Sequence, residues 1–205
     1  MKKYIMIGAL FASFIFPSIG HAYAAETNSE SKSINIHSSV QSAILMEQDT
    51  GEILYEQNVH ETLPPASMTK IMTLLLIMEA LEKEELQLDE TIRISEYASS
   101  MGGSQIFLAP GEEMTVEDLL KGIAIASAND ASVALAERIA GSEEAFVQLM
   151  NEKAEALNLE NTKFQNSSGL PAKDHYSTAY DMAVMAQELL KYETITDYTS
   201  IYEDY

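Results

Sequence analysis

Two short motifs in this chain carry residue types that could perform acyl transfer. Residues 67–70 read Ser-Met-Thr-Lys and open an apolar run, and residues 127–129 read Ser-Ala-Asn and precede another. A serine hydroxyl is a poor nucleophile until a base removes its proton. A lysine acts as that base only where burial lowers its pKa. Since Ser67 and Lys70 share one face when they lie three apart on a helix, the pair predicts a serine nucleophile with a lysine base.

The Ser-x-x-Lys pattern has little weight without its context. A second copy, Ser29 to Lys32, lies in a polar segment where a solvated lysine keeps its proton. The copy at Ser67 follows two prolines and begins a run through Leu81 without Gly or Pro, which predicts a buried helix over 67–81. The N–H groups and the dipole at the start of that helix would stabilise an oxyanion.

The second motif offers a hydroxyl and a carboxamide. The Ser127 hydroxyl can relay a proton to a leaving group, and the Asn129 carboxamide can donate to and accept from a substrate amide. An alternative is that these residues serve as a helix N-cap, because Ser and Asn cap well. Since capping does not prevent catalysis, both interpretations stand.

Other chemistries find little support in the sequence. The chain has no cysteine, which excludes disulfides and thiolate metal sites. The four histidines form no His-Glu-x-x-His pattern, and no Gly-x-Ser-x-Gly elbow occurs. His175 is expected to be a hydrogen-bonding residue of a loop and not a catalytic base. The sequence predicts no metal ion and no cofactor.

The net charge of the chain excludes some classes of binding partner. It carries 32 acidic and 12 basic residues, a formal net charge of −20. Phosphates would be repelled, so nucleic acid is not expected as a partner, and neither is a direct contact with anionic lipid.

The chain divides into three segments. Residues 1–24 start with two lysines, continue with an apolar run and end in Ala-Tyr-Ala, as a cleaved secretory signal peptide does. An uncleaved anchor is the alternative, but the run is short for a spanning helix. Residues 25–39 are polar and Ser-rich and predict a flexible leader. The folded part is expected over 40–205.

The pattern of the folded part predicts an α+β protein. Apolar runs at 43–46 and 53–55 flank Asp-Thr-Gly and predict a β-hairpin. Besides the helix at 67–81, helices are predicted from Thr115, which has an acidic residue three positions later, and over 130–140, 143–157 and 178–192. Residues 99–111 predict loop and turns, and residues 158–177 predict an ordered loop.

Five segments together resemble one enzyme family. They are Ala-Ser-Met-Thr-Lys at 66–70, Ala-Ser-Ala-Asn-Asp-Ala at 126–131, Met-Asn at 150–151, Asn-Ser-Ser-Gly-Leu at 166–170 and His-Tyr-Ser-Thr-Ala-Tyr-Asp-Met at 175–182. Over roughly residues 42–205 the chain resembles the serine-type D-alanyl-D-alanine carboxypeptidases, the low-molecular-weight penicillin-binding proteins. The resemblance implies a β-lactamase/transpeptidase-like fold.

The resemblance also implies a substrate and a set of roles. The substrate would be a peptidoglycan pentapeptide ending in D-Ala-D-Ala, at the outer face of the cytoplasmic membrane or in the cell wall of a secreted protein. Ser67 would attack the carbonyl between the two D-alanines with Lys70 as base, and its N–H would form half of the oxyanion hole. Ser127 would relay the proton and Asn129 would position the substrate amide. β-Lactam antibiotics would trap Ser67 covalently.

The sequence departs from the family in its third motif. No glycine follows a Lys-Thr or Lys-Ser pair anywhere in the 205 residues. The family places that motif, further strands of the sheet and a membrane-anchoring helix beyond the point this sequence reaches. The expectation is therefore a C-terminally truncated chain: residues 40–205 form the N-terminal part of the domain, are inactive alone, and lack the parts that would bind the membrane.

Two rival functions are compatible with the motifs. A β-lactamase would need a deacylating base, for which Glu152, Glu155 and Glu160 are available although none lies in a recognisable motif. A non-catalytic cell-wall-binding fragment would bind peptidoglycan even after Ser67→Ala.

Overall fold

The central helix of the structure, α1 (Lys70–Glu82), is apolar on almost every side. In this computed structural model, which describes residues 40–202, Met72, Leu75 and Ile77 are fully buried. That burial confirms the predicted helix. Its first turn differs from the prediction, because Ala66–Thr69 forms a 3₁₀ helix and the α-helix begins only at Lys70.

The helices around α1 include the four others that the sequence predicted and two short ones, the second and the last, that it did not. They are α2 (Glu96–Ser99), α3 (Val116–Ala126), α4 (Asn129–Ala140), α5 (Glu143–Ala156), α6 (Ala179–Leu189) and α7 (Ile195–Thr199). Helix α1 packs against α4, α5 and α6, while α3 packs against α4 and α7. The starts of α3, α5 and α6 follow from capping side chains: Thr115 accepts a hydrogen bond from the N–H of Asp118 at 3.1 Å, as predicted, and Ser142 and Thr178 cap α5 and α6 in the same way.

Two small antiparallel sheets accompany the helices. The predicted hairpin is present as β1 (Ala43–Met46) and β2 (Ile53–Gln57). The second sheet, β3 (Thr91–Arg93) with β4 (Glu113–Thr115), was not predicted. Its strands have three residues each, which is too short for an alternating pattern to stand out. The α+β class is confirmed.

A long loop after α5 lies against the start of α1, and we call residues 158–177 the covering loop. It is ordered, as predicted: isolated bridges join Lys163 to Tyr176 and Leu63 to Ser177. The Asn151 carboxamide on α5 accepts from the N–H of Phe164 at 2.9 Å and donates to its carbonyl at 3.0 Å. These bonds fix both ends of the loop.

Some predicted segments lie outside residues 40–202. These are the signal peptide over 1–24 and the leader over 25–39. Within 40–202, no helix is both long and apolar enough to cross a membrane.

Candidate active site

Ser67 lies on an exposed turn directly before α1. The 3₁₀ helix Ala66–Thr69, which we call the serine turn, has three residues per turn, so Ser67 and Lys70 lie one above the other. Ala66 has a φ of +48°, a conformation that costs a non-glycine residue about 1–2 kcal/mol. No described residue hydrogen-bonds the hydroxyl or the N–H of Ser67. Both groups are therefore accessible to a ligand.

Lys70, by contrast, is buried, with only 4% of its surface exposed. Its Nζ donates to Oδ1 of Asn129 at 2.6 Å and to the carbonyl of Ser168 at 2.7 Å. Both partners are neutral, and no carboxylate among residues 40–202 forms an ion pair with this lysine. Burial lowers the pKa of Lys70 from 10.5 to about 8. A useful fraction of the amine is therefore neutral near physiological pH.

Asn129, the first residue of α4, is held at three atoms. Its Oδ1 accepts from Lys70, its Nδ2 donates to the carbonyl of Gly102 at 2.7 Å, and its backbone N–H donates to the carbonyl of Ser104 at 2.8 Å. The residue is 4% exposed. In this structure the carboxamide links the lysine to the loop before β4.

Ser127 lies two residues before Asn129 in a left-handed conformation, with a φ of +54°. It is the C-cap of α3, whereas the N-cap of α4 is Ala128, which makes no side-chain cap bond. The N-cap interpretation of Ser127 is therefore wrong. Its hydroxyl is half-buried and has no hydrogen-bond partner among residues 40–202.

The structure thus joins part of the predicted site directly. Lys70 and Asn129 share a hydrogen bond, and Ser67 and Ser127 flank them in the chain. The backbone N–H of Lys70 donates to the carbonyl of Ser67, but among residues 40–202 no hydrogen bond joins the Ser67 hydroxyl to the Lys70 amine or to Ser127.

A buried aspartate holds the loop that supports Asn129. The carboxylate of Asp130 accepts from the N–H of Ile106 at 3.2 Å and from the N–H of Leu108 at 3.1 Å. Asp130 is fully buried. The aspartate after Asn129 therefore positions the backbone of the segment whose carbonyls bind Asn129.

Residues 167–169 of the covering loop supply three contacts to the serine turn and α1. The carbonyl of Ser168 accepts from Lys70, and that of Ser167 accepts from Thr73 Oγ1 at 2.6 Å. Gly169, with a φ of +87°, approaches so closely that a Cβ there would lie 1.9 Å from the carbonyl oxygen of Ala66. Glycine is required at this contact.

A buried glutamate stands behind this part of the loop. Glu143 accepts from the N–H of Ser167 at 3.0 Å and from its hydroxyl at 2.8 Å. Its other oxygen accepts from the hydroxyl of Tyr97 at 2.7 Å, and that bond is the largest cause raising the pKa of Tyr97 to about 12. Glu152, Glu155 and Glu160 are exposed.

Sequence reasoning missed several of these supporting residues. The carbonyl of Ser168 has no signature in a side chain, and Glu143 resembles any acidic residue in the first turn of a helix. Gly169 was available as a signal, since an Asn-Ser-Ser-Gly run predicts a turn with a positive φ. His175 is a loop hydrogen-bonder, as expected, with its Nε2 2.8 Å from Thr69 Oγ1.

The comparisons with known proteins agree with the resemblance that the motifs carry. Residues 26–205 match the family model of peptidase S11, D-alanyl-D-alanine carboxypeptidase. The chain belongs to this family. It is 65% identical over 164 residues to the D-alanyl-D-alanine carboxypeptidase DacF of Bacillus subtilis, a match that covers 80% of this chain and 42% of that protein.

Solved structures of the family agree with the fold. The D-alanyl-D-alanine carboxypeptidase DacD from Francisella tularensis superposes with a TM-score of 0.79 at 37% identity, covering 82% of this chain and 41% of that one. Penicillin-binding protein D2 from Listeria monocytogenes in its ampicillin-bound form gives a TM-score of 0.72 at 29% identity, covering 82% of this chain and 68% of that one. The expected penicillin-binding, β-lactamase-like fold is confirmed. The chain spans about half the length of the curated relatives it matches, from 42% to 51% for the first four.

Proposed function

We propose that this chain supplies the nucleophile and base of a serine-type D-Ala-D-Ala carboxypeptidase that trims peptidoglycan stem peptides. The observation that carries the proposal is Lys70, a buried lysine with neutral hydrogen-bond partners and a pKa of about 8, one 3₁₀ turn from the exposed Ser67. A buried, partly neutral amine beside an unpartnered hydroxyl is what an acyl-transfer site needs.

The proposed reaction proceeds in two halves. Neutral Lys70 takes the Ser67 proton as Oγ attacks the carbonyl carbon between the two D-alanines, and the Ser67 N–H donates to the oxyanion that forms. The C–N bond then breaks, and the amine of the terminal D-Ala leaves with a proton relayed through Ser127. Water attacks the resulting ester, its proton passes to the base, and Ser67 regains its hydroxyl.

Asn129 has a supporting part in this proposal. Its carboxamide holds the Lys70 amine and the Gly102 carbonyl in the free site. When a stem peptide binds, its amide would exchange with one of these partners, since a carboxamide both donates and accepts.

The setting of the reaction is also proposed from the relatives. The substrate would lie in the cell envelope, which the carboxypeptidase names of the relatives support, and the segment 1–24 would direct the chain there. Residues 40–205 would be the N-terminal part of the catalytic domain, and β-lactams would acylate Ser67 as substrate mimics.

Covalent labelling with a fluorescent penicillin tests the proposal. We would compare the 205-residue chain with a chimera in which the remainder of the Bacillus subtilis relative follows it. The chimera should form an adduct that mass spectrometry of peptides maps to Ser67, and the chain alone should form little or none because it has no Lys-Thr-Gly motif. Ser67→Ala should abolish the adduct, whereas Ser29→Ala, in the other Ser-x-x-Lys copy, should leave it intact.

Three results would count against the proposal. A chimera that folds and forms no adduct would refute it, as would an adduct that survives Ser67→Ala. Rapid penicillin turnover in place of a lasting adduct would favour the β-lactamase alternative.

A further inference from the structure

His175 is a buried titratable residue that has no step in the proposed reaction. It lies in the covering loop and is 7% exposed. Its Nε2 is 2.8 Å from Oγ1 of Thr69, and its Nδ1 accepts from the backbone N–H of Gln165 at 3.2 Å. The ring makes a T-shaped contact with Phe164, with the ring centroids 5.9 Å apart. Both nitrogens are therefore engaged, and one of them reaches the serine turn.

The Gln165 bond decides where the proton of the ring lies. A nitrogen that accepts a backbone N–H cannot carry its own proton, so in the neutral ring the proton is on Nε2. Nε2–H then donates to Thr69 Oγ1. Burial lowers the pKa of His175, which favours this neutral form.

The position of Thr69 affects the two proposed reacting residues. It is fully buried, it lies between Ser67 and Lys70, and the imidazole is the hydrogen-bond partner of its hydroxyl among the described residues. The covering loop also contacts the serine turn and α1 through Gly169 and Ser168, but the first of these contacts is purely steric. The His175 bond is thus the directional link from the loop to the turn that presents the serine.

We infer that His175 is a positioning residue: its Nε2–H holds the Thr69 hydroxyl and so fixes the serine turn against the covering loop, with Ser67 aimed for attack. The inference rests on the proposed acyl transfer and adds a residue to it. The positioning role requires the hydrogen on Nε2 of His175, whereas the acceptor Nδ1 serves only to set the tautomer of the ring.

Two substitutions separate these atoms. In His175→Gln the side-chain amide nitrogen reaches about as far as Nε2 and can still donate to Thr69. In His175→Asn the shorter amide can still accept from Gln165 but falls short of Thr69. Penicillin acylation rates of the chimera should stay within about threefold of the parent for the Gln variant and fall about 10- to 100-fold for the Asn variant, since a displacement near 1 Å has that scale of effect.

A spectroscopic readout does not depend on activity. In ¹⁵N-edited NMR of the 205-residue chain, His175 should show a proton on Nε2 that exchanges slowly with water and an unprotonated Nδ1 at pH 7. The exposed His60 serves as the internal control and should exchange fast. Thr69→Val, which keeps the branched shape and removes the hydroxyl, should shift the Nε2–H signal and reproduce the rate loss of His175→Asn.

The outcomes distinguish the inference from the function on which it rests. If the parent chimera is not acylated, the proposed function fails and the positioning role fails with it. If the parent reacts but the Gln and Asn variants slow it equally, or if His175 carries its proton on Nδ1 or exchanges as fast as His60, the positioning role is wrong and the function stands.

Discussion

Replacing Gly169 by alanine would place a methyl group against the backbone of the serine turn. The added Cβ would lie 1.9 Å from the carbonyl oxygen of Ala66, 2.4 Å from its carbonyl carbon and 3.0 Å from Thr69 Oγ1. Both Ala66 atoms belong to the main chain, so no flexible side chain can move aside. The turn has to shift by about 1.5 Å to restore ordinary van der Waals separations.

Two terms make up the expected cost. A φ of +87° disfavours any side chain and costs about 1–2 kcal/mol. The steric overlap adds about 1–3 kcal/mol, as overpacked sites do. Gly169→Ala should therefore lower the free energy of unfolding by about 2–5 kcal/mol. A shift of Ser67 by about 1 Å or more should also slow acylation at least about 100-fold.

Gly141→Ala is the matched control. Gly141 has nearly the same φ, +84°, and a Cβ there would meet nothing within 4 Å. It should show only the conformational cost of about 1–2 kcal/mol and should leave acylation unchanged. Urea unfolding followed by circular dichroism measures the first quantity for both variants, and penicillin labelling of the chimera measures the second. Equal destabilisation by the two substitutions, with equal rates, would refute the close approach of Gly169 to the serine turn.

Two further predictions concern buried ionisable groups. Because neutral Lys70 is the proposed base, the acylation rate should rise as the pH rises through about 8. The unfolded chain holds this proton up to about 10.5, so the free energy of unfolding should also rise between pH 8 and 10.5. Lys70→Met should lose both trends. A rate profile with no inflection near 8 would contradict this. Glu143→Gln should lower the free energy of unfolding in urea by about 1–3 kcal/mol, because the two donors of Ser167 and the hydroxyl of Tyr97 lose a charged acceptor. Glu144→Gln makes the same charge change at the exposed neighbouring residue and should have no measurable effect. Equal effects of the two substitutions would contradict a stabilising role of the buried network.

The elements that the sequence predicted are those whose signals are local. The apolar run after Ser67 is long enough for a buried helix and has no Gly or Pro, and Thr115 with Asp118 indicated the start of α3. The sheet β3–β4 pairs residues that lie twenty or more positions apart. Such pairing depends on tertiary contacts, which a three-residue pattern does not encode.

The candidate site divides in the same way. Ser67 and Lys70 were found because their spacing is that of a helical turn, and Asn129 because it belongs to a short motif. The conformation of Ser127 was not foreseen, since serine shows no preference for a positive φ and capping was the simpler expectation. The Ser168 carbonyl and the Gly169 contact depend on where the covering loop crosses α1, and that crossing is set by packing.

The bonds of Lys70 have a consequence for the order of folding. Its partners lie 59 and 98 positions further along the chain, at Asn129 and Ser168. A growing polypeptide that has formed α1 alone still exposes its lysine to water, where the amine remains charged. Closing such long loops comes late among folding events. On the proposed function, the base for Ser67 is therefore in place only after both contacts have formed, so that acylation would report the folding of the segments that contain Asn129 and Ser168.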